Sequence, residues 1–143
     1  MKYGLMIGII FGFSFDCHTQ YLDQFLWENR LIIIFENKAQ LSEKGDIQER
    51  TLLRNKAILK EQKLRVFRYN GSTLKTVFPQ NKLELNIDLD LPFREDYEFL
   101  LIGLDGTIKT RFSDVKSPRW IFDLIDSMPM RQKELKLEKN NKK

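Results

Sequence analysis

Leu31 to Phe35, LIIIF, is a continuous run of branched and aromatic residues between polar ones, the pattern of a strand covered on both faces. Tyr21 to Asn29 forms a short aromatic-rich approach to it. After Gly45 the period changes. Ile47, Leu52, Leu53, Ala57, Ile58 and Leu59 recur at helical spacing behind an Asp46-x-x-Glu49 capping signature, so the pattern predicts one helix from Asp46 to Gln62. Leu64 to Tyr69 returns to strand character, and Asn70-Gly71 stops it. From Lys82 to Pro92 the alternation is strict. Leu83, Leu85, Ile87, Leu89 and Leu91 fall on one side and Glu84, Asn86, Asp88 and Asp90 on the other, which predicts a strand with one buried and one acidic face, ended by Pro92.

The last third continues the pattern. Glu98 to Leu104 and Thr107 to Phe112 read as strands around Asp105-Gly106, a two-residue hairpin signal. Ser117-Pro118 supplies a cap and a first-turn proline for a final helix with the stripe Trp120, Ile121, Leu124, Ile125 and Met128, which Pro129 should kink or end. The chain carries no internal repeat or linker.

With 143 residues, 42% of them hydrophobic and 12% aromatic, the chain fits one domain with a real core and has no room for two. The front end changes the picture of where it works. Met1-Lys2 followed by the apolar run Tyr3 to Phe15 is the pattern of a signal peptide, assigned to residues 1–14 with cleavage after Ser14. The expected destination is therefore outside the cytoplasm, periplasmic or extracellular. An uncut anchor is the second reading, but the run falls short of the ~20 residues a spanning helix needs. No stable membrane span is expected after cleavage.

Cys17 is the single cysteine, so no internal disulfide can form. Its place just past the apolar run raises lipid attachment, although Asp16 stands where a lipoprotein signal wants Gly, Ala or Ser. The alternatives are a free thiol on an N-terminal tail and an intermolecular disulfide. Net charge adds little. The formal +4 of the whole chain is matched by the segment Arg131 to Lys143 alone, so the body is neutral and residues 135–143 read as a basic, disordered tail. Nucleic acid is not an expected partner; an anionic membrane or polysaccharide surface suits weak attraction to such a tail better.

Strand, helix, strand, then hairpin and helix is the order of a thioredoxin fold, and three motifs narrow it: WENRLIIIF (Trp27 to Phe35), FLLIGLDGTIKTRF (Phe99 to Phe112) and IFDLIDSMPMRQKE (Ile121 to Glu134). The chain resembles the thioredoxin-fold, peroxiredoxin-like domain of unknown function shared by exported bacterial proteins and vertebrate sushi-repeat and Equarin-type extracellular proteins. That resemblance implies a single α/β thioredoxin-like domain over residues 20–134, with a central mixed sheet flanked by helices. The departure is Asn70 to Asp96, where the alternating acidic segment replaces what would carry the fold's second helix.

The resemblance also implies where a thiolate would sit: at the helix start after the first central strand, where the dipole and nearby cations depress its pKa. In this chain that place is Glu36 to Asp46, ENKAQLSEKGD, which holds no cysteine. Ser42, the only hydroxyl there, reads as a cap. His18, the only histidine, lies on the tail and leaves no Ser-His-Asp triad or histidine-rich metal site for the body. Glu84, Asp88 and Asp90 share one strand face and could in principle meet a hard cation, but a strand rarely wraps one without a loop. They read as a solvated face that shields an edge strand.

Arg94 lies ahead of the third core strand, where the peroxiredoxin resemblance implies a peroxide-polarising arginine; without a thiolate it reads as a surface or anion-contact residue. Arg30 is expected to be structural, pairing with Asp126 or Glu134. Met128, Met130 and Arg131 make the most distinctive surface element, suited to core closure or to an adaptable contact. The expected function is a non-catalytic binding module whose partner is an unknown protein or envelope component, with no cofactor and no metal. The candidate functional surface is Arg94, Met128, Met130 and Arg131, and Cys17 is the candidate modified or redox residue. An atypical thiol-dependent oxidoreductase using Cys17, and a lipid-anchored envelope protein, are the alternatives.

Overall fold

In the computed structural model, which describes residues 20–38, 43–81 and 83–142, the run LIIIF becomes β1 (Arg30–Glu36), buried along all but its last residue. The segment assigned as signal peptide, together with Cys17, His18 and Ser42, lies outside the described residues. Two strands flank β1: β2 (Leu64–Tyr69) runs parallel to it, with Ile33 opposite Phe67, and β5 (Tyr97–Ile102) runs antiparallel, with Ile33 opposite Leu100. Cover on both faces of the sheet explains why β1 has no polar alternation. The six strands lie in the order β4-β3-β2-β1-β5-β6, with β3 (Thr73–Phe78), β4 (Glu84–Asn86) and β6 (Ile108–Phe112) all antiparallel to their neighbours.

Successive β1 side chains feed opposite faces. Ile32 and Ile34 join Leu52, Leu59, Ile121, Phe122 and Ile125 on the face covered by α2 (Lys44–Leu53), α3 (Lys56–Glu61) and α4 (Pro118–Asp126). Leu31, Ile33 and Phe35 join Leu22 and Phe25, from α1 (Gln20–Asp23) and the turn after it, together with Leu89 on the other face. Leu91 and Phe93 pack onto this second cluster, Phe93 stacked on Phe35 with ring centroids 4.0 Å apart. That face is closed by the short α1 and an extended strip.

Several boundaries differ from the pattern. The expected helix Asp46 to Gln62 is two helices broken at Arg54-Asn55, where Asn55 Nδ2 donates to Thr51 O (3.0 Å) and Thr51 Oγ1 donates to Gln48 O (3.0 Å). Such local side-chain bonds compete with the helical ladder. Asp46 is not the cap; Glu43 holds that position without a side-chain bond. β3 had no counterpart in the pattern, and of the alternating segment only Glu84–Asn86 is paired as strand, an edge strand with its acidic face outward. Leu83, expected on the buried side, is exposed, but from Glu84 the alternation survives in burial to Leu89, which is completely enclosed.

The hairpin loop is Leu104-Asp105-Gly106 rather than Asp-Gly alone: Gly103 N donates to Thr107 O (2.9 Å), Gly106 takes φ +77°, and the ladder slips between Leu101 and Ile102. A turn followed by a left-handed glycine is the common longer hairpin solution. Ser117 caps α4 as expected, its Oγ accepting from Trp120 N (3.3 Å). Trp120, placed in the apolar stripe, is nearly half exposed and meets Phe112 edge-on. Residues 135–143 were expected as a tail, yet α5 (Pro129–Asn141) carries regular helix through Asn141. Pro129 ends one helix by starting the next, where its missing N–H is no loss.

Candidate functional site: the helix junction at Met128 to Arg131

Met128 is extended (φ −71°, ψ 141°) between α4 and α5, and Pro129 restarts the helix at its first position. That turn sends Arg131 inward. The residue expected on the surface is 1% exposed, and its guanidinium is surrounded by carboxylates. Nε donates to Asp126 Oδ1 (3.0 Å), Nη2 to Glu61 Oε1 (2.7 Å) and Nη1 to Glu134 Oε2 (3.3 Å), with Glu138 at 3.9 Å. A buried cation requires this many partners. Burial alone would lower the Arg131 pKa, but its hydrogen bonds to Asp126, Glu134 and Glu61 outweigh it and the net direction is up.

Arg30, the first residue of β1, is equally buried and reaches the same carboxylate: Nη1 donates to Glu134 Oε2 (3.2 Å) and to Gln62 O (3.0 Å). Of the two partners expected for Arg30, Glu134 is the one found. Burial pushes the Glu134 carboxyl up, but hydrogen bonding and charge from Arg30, with Lys63 and Arg131 adding, bring it below its ordinary value. Gln62 completes the seam by donating to Phe122 O (3.1 Å) and Asp126 Oδ1 (3.0 Å). Glu61 and Gln62 were not singled out in the sequence. They read as the end of a helix, whereas in the structure Gln62 faces α4 and Glu61 faces Arg131 of α5.

Met128 packs partly buried against the helix-side core, so it closes the core edge, while Met130 is 37% exposed. Between them and the β5–β6 turn lies a cavity of about 180 Å³ whose lining includes Arg30, Leu104, Asp105, Lys109, Met128 and Met130. Lys109 lies across Gly103 so closely that a Cβ there would run into the lysine stem, and its Nζ is held by Asp105 Oδ2 at 2.8 Å. That bond, with those from Thr107, lowers the Asp105 carboxyl to about 2.

Arg94 does not join this junction. It is exposed in the segment before β5, whose first residue Tyr97 pairs with Glu36 at the far end of β1. Its backbone N–H donates to Glu98 Oε2 (2.6 Å).

That far end is where the resemblance implies a thiolate, and the described residues there build an ion cluster. Arg68, on β2, donates from Nη2 to Glu36 Oε2 (2.7 Å) and from Nη1 to Asp46 Oδ1 (2.9 Å) and Glu49 Oε2 (3.1 Å). Asp46 and Glu49, read in the sequence as a capping pair, are thus partners of an arginine in another element. Gly45 allows the approach, since a Cβ on it would fall on the Glu36 carboxylate and the Arg68 guanidinium. Tyr97 lies beneath, its phenol pushed well up by burial and further by the Glu36 charge, and its hydroxyl meets Gln48 Oε1 at 3.4 Å. Glu84, Asp88 and Asp90 remain outward on their strip. Among the described residues no group of three His, Cys, Asp or Glu side chains is placed to hold a metal ion, and no helix is long and apolar enough to cross a membrane.

A mixed six-stranded sheet with a parallel β1–β2 pair, an antiparallel β5–β6 hairpin and covering helices defines a single α/β domain of the thioredoxin-like class. The overall backbone is similar to that of reduced Plasmodium vivax 2-Cys peroxiredoxin, with a TM-score of 0.53 and 14% identity over 78% of this chain and 84% of that one. Residues 21–134 match the domain of unknown function DUF4174, and the chain belongs to that family. Among curated proteins no sequence matches it.

Proposed function

We propose that this protein is an exported, non-catalytic binding module built on a thioredoxin-like fold, sharing that setting with the extracellular proteins its motifs resemble. The observation that carries the reading is the ion cluster at the Glu36 end of β1. Arg68 is fully engaged by Glu36, Asp46 and Glu49, where a redox member of the fold would need its cation free to stabilise a thiolate. Cys17, the one thiol in the sequence, precedes β1 along the chain and lies outside the described residues. An accessible surface lies instead at the Arg30 end, where a largely apolar cavity, lined also by the Lys109–Asp105 pair, opens beside an exposed methionine. A surface of that kind suits recognition.

The test is thiol-dependent turnover. Wild-type protein and Cys17→Ser should reduce neither hydrogen peroxide nor an insulin disulfide above the buffer rate in the presence of dithiothreitol. Turnover that Cys17→Ser abolishes would instead establish the oxidoreductase reading. Export is checked by the intact mass recovered from the native host: loss of residues 1–14 supports a cleaved signal, acyl mass on Cys17 would make the protein a lipoprotein, and an uncut N-terminus would overturn export.

A further inference from the structure

We infer that the outward face of α5 is a docking surface for an anionic lipid bilayer, which the domain touches from one side without spanning it. The inference goes beyond the reading above, does not rest on the absence of catalysis, and uses the length of α5 rather than the cavity at its start. Its basis is a separation of charge around one helix. α5 carries two carboxylates, Glu134 and Glu138, and both are turned inward. Glu134 meets Arg30 at 3.2 Å, Arg131 at 3.3 Å and Lys63 at 3.5 Å, and Glu138 lies 3.9 Å from Arg131. Lys133, Lys136, Lys139 and the C-cap Lys142 are all exposed, and none makes a hydrogen bond or ion pair among the described residues. Lys139 and Lys142 suit the negative end of the helix dipole, but Lys133 and Lys136 lie too far from that end for the dipole to explain them.

An apolar stripe selects the kind of anion. Met130 is 37% exposed and Leu137 63%, and a spacing of seven residues puts both on one side of the helix, with Lys133 between them and Lys136 beside them. An acidic polysaccharide would match the lysines but leave both apolar side chains in water. A bilayer receives both kinds of group: the apolar side chains enter the headgroup boundary, and the lysine stems lie along it with their ammonium groups among the lipid phosphates. Lys139 and Lys142 lie within a screening length of that surface and add to the attraction. The helix is not a loose tether. Arg131 fixes its first turn to Glu61 at 2.7 Å and Asp126 at 3.0 Å, so contact through α5 holds the whole domain at the surface.

The experiment is co-sedimentation of the protein recovered from its native host with vesicles of phosphatidylcholine alone and with vesicles in which one quarter is phosphatidylglycerol. The difference between the two is the readout, so any affinity of the N-terminal run for lipid cancels. A preference for the anionic vesicles that disappears in about 1 M salt is the expected result. Lys133→Gln combined with Lys136→Gln should weaken that binding about twentyfold, at about fivefold for each lysine. Leu137→Gln should also weaken it while leaving retention on immobilised dextran sulfate unchanged. All three residues are exposed, so the melting temperature should hold in each variant. No preference for anionic vesicles, or a preference indifferent to the lysine pair or to Leu137, would overturn the inference. Dextran sulfate bound more tightly than the vesicles would assign the face to an acidic polysaccharide and overturn it as well. None of those results alters thiol turnover, which tests the non-catalytic reading separately.

Discussion

Arg30 and Arg131 lie 101 positions apart in sequence and share a single carboxylate oxygen, Glu134 Oε2, at 3.2 and 3.3 Å. The first residue of the central strand is thereby tied to the first turn of the last helix. Replacing Glu134 by Gln keeps the shape but removes the charge that two enclosed guanidinium groups depend on. Breaking a buried pair from one side costs about 3 kcal/mol. Chemical denaturation of Glu134→Gln should show a loss of that order, with the slope of the transition unchanged; a loss within measurement error would mean that Asp126 and Glu61 suffice.

The same carboxylate sets an acid limit. Glu134 is held below its ordinary value of 4.5 in the folded chain, so the folded state binds its proton less readily than the unfolded chain does. The stability it contributes is therefore complete above that ordinary value and is lost as pH falls through the folded one. Unfolding free energy measured from pH 7 down to pH 3 should decline below about 4.5. In Glu134→Gln that decline should be shallower, and equal slopes would show that other carboxylates carry the acid sensitivity.

Gly45 is the position through which α2 approaches the Arg68 cluster. Gly45→Ala favours the helix by about 1 kcal/mol, but its Cβ would occupy the space of the Glu36–Arg68 pair. Displacing that pair costs about 2 kcal/mol, so a net loss of about 1 kcal/mol is expected. A thermal melt decides the sign: a raised melting temperature would show that the cluster moves aside freely.

At the hairpin, Gly106 has φ +77° and its missing Cβ leaves room for Leu26, whose Cδ2 would be 2.5 Å from it. Gly106→Ala should cost about 1–2 kcal/mol from the left-handed backbone alone. The contact with Leu26 also ties the turn to the segment before β1, so hydrogen exchange should rise in residues 25–29 as well as in the loop. An unchanged Leu26 region would confine the effect to the turn.

The parts of this fold that could be read from the sequence are those whose periodicity reports burial directly. β1, β2, the β5–β6 pair and α4 are recognisable because one-sided or two-sided burial imprints the side-chain pattern. β3 escaped because Thr73, Lys75 and Thr76 interrupt its apolar residues, so that its place is shown only by its hairpin pairing with β2, Tyr69 opposite Leu74. The site was half legible. Met-Pro-Met-Arg marks itself by composition, and Arg30 with Glu134 could be paired by charge across the fold. That Arg131 points inward follows only from Pro129 starting a new helix instead of merely ending one. The capping reading of Asp46 and Glu49 failed for a related reason: the same carboxylates serve an arginine that sequence places 19 to 22 residues away.

The middle segment gives the sharpest test of how an irregular strip replaces a helix. Leu89 is completely buried although its neighbours are not in a ladder, and its N–H is satisfied by the hydroxyl of Tyr69 at 3.2 Å. Burial raises the Tyr69 phenol above its ordinary value, with the bond from Leu89 partly opposing that shift, so the hydroxyl stays neutral and available through physiological pH. Tyr69→Phe retains the ring beside Phe35 and Phe93 but leaves the Leu89 N–H without an acceptor. An unsatisfied buried amide costs about 1–3 kcal/mol. If the Tyr69 hydroxyl anchors the strip, Tyr69→Phe should lose stability in that range and exchange at residues 87–91 should accelerate more than exchange in β1. Uniform acceleration across both would mean that Leu89 and Phe93 hold the strip by packing alone, and that the hydroxyl serves only to fill its own need for a partner.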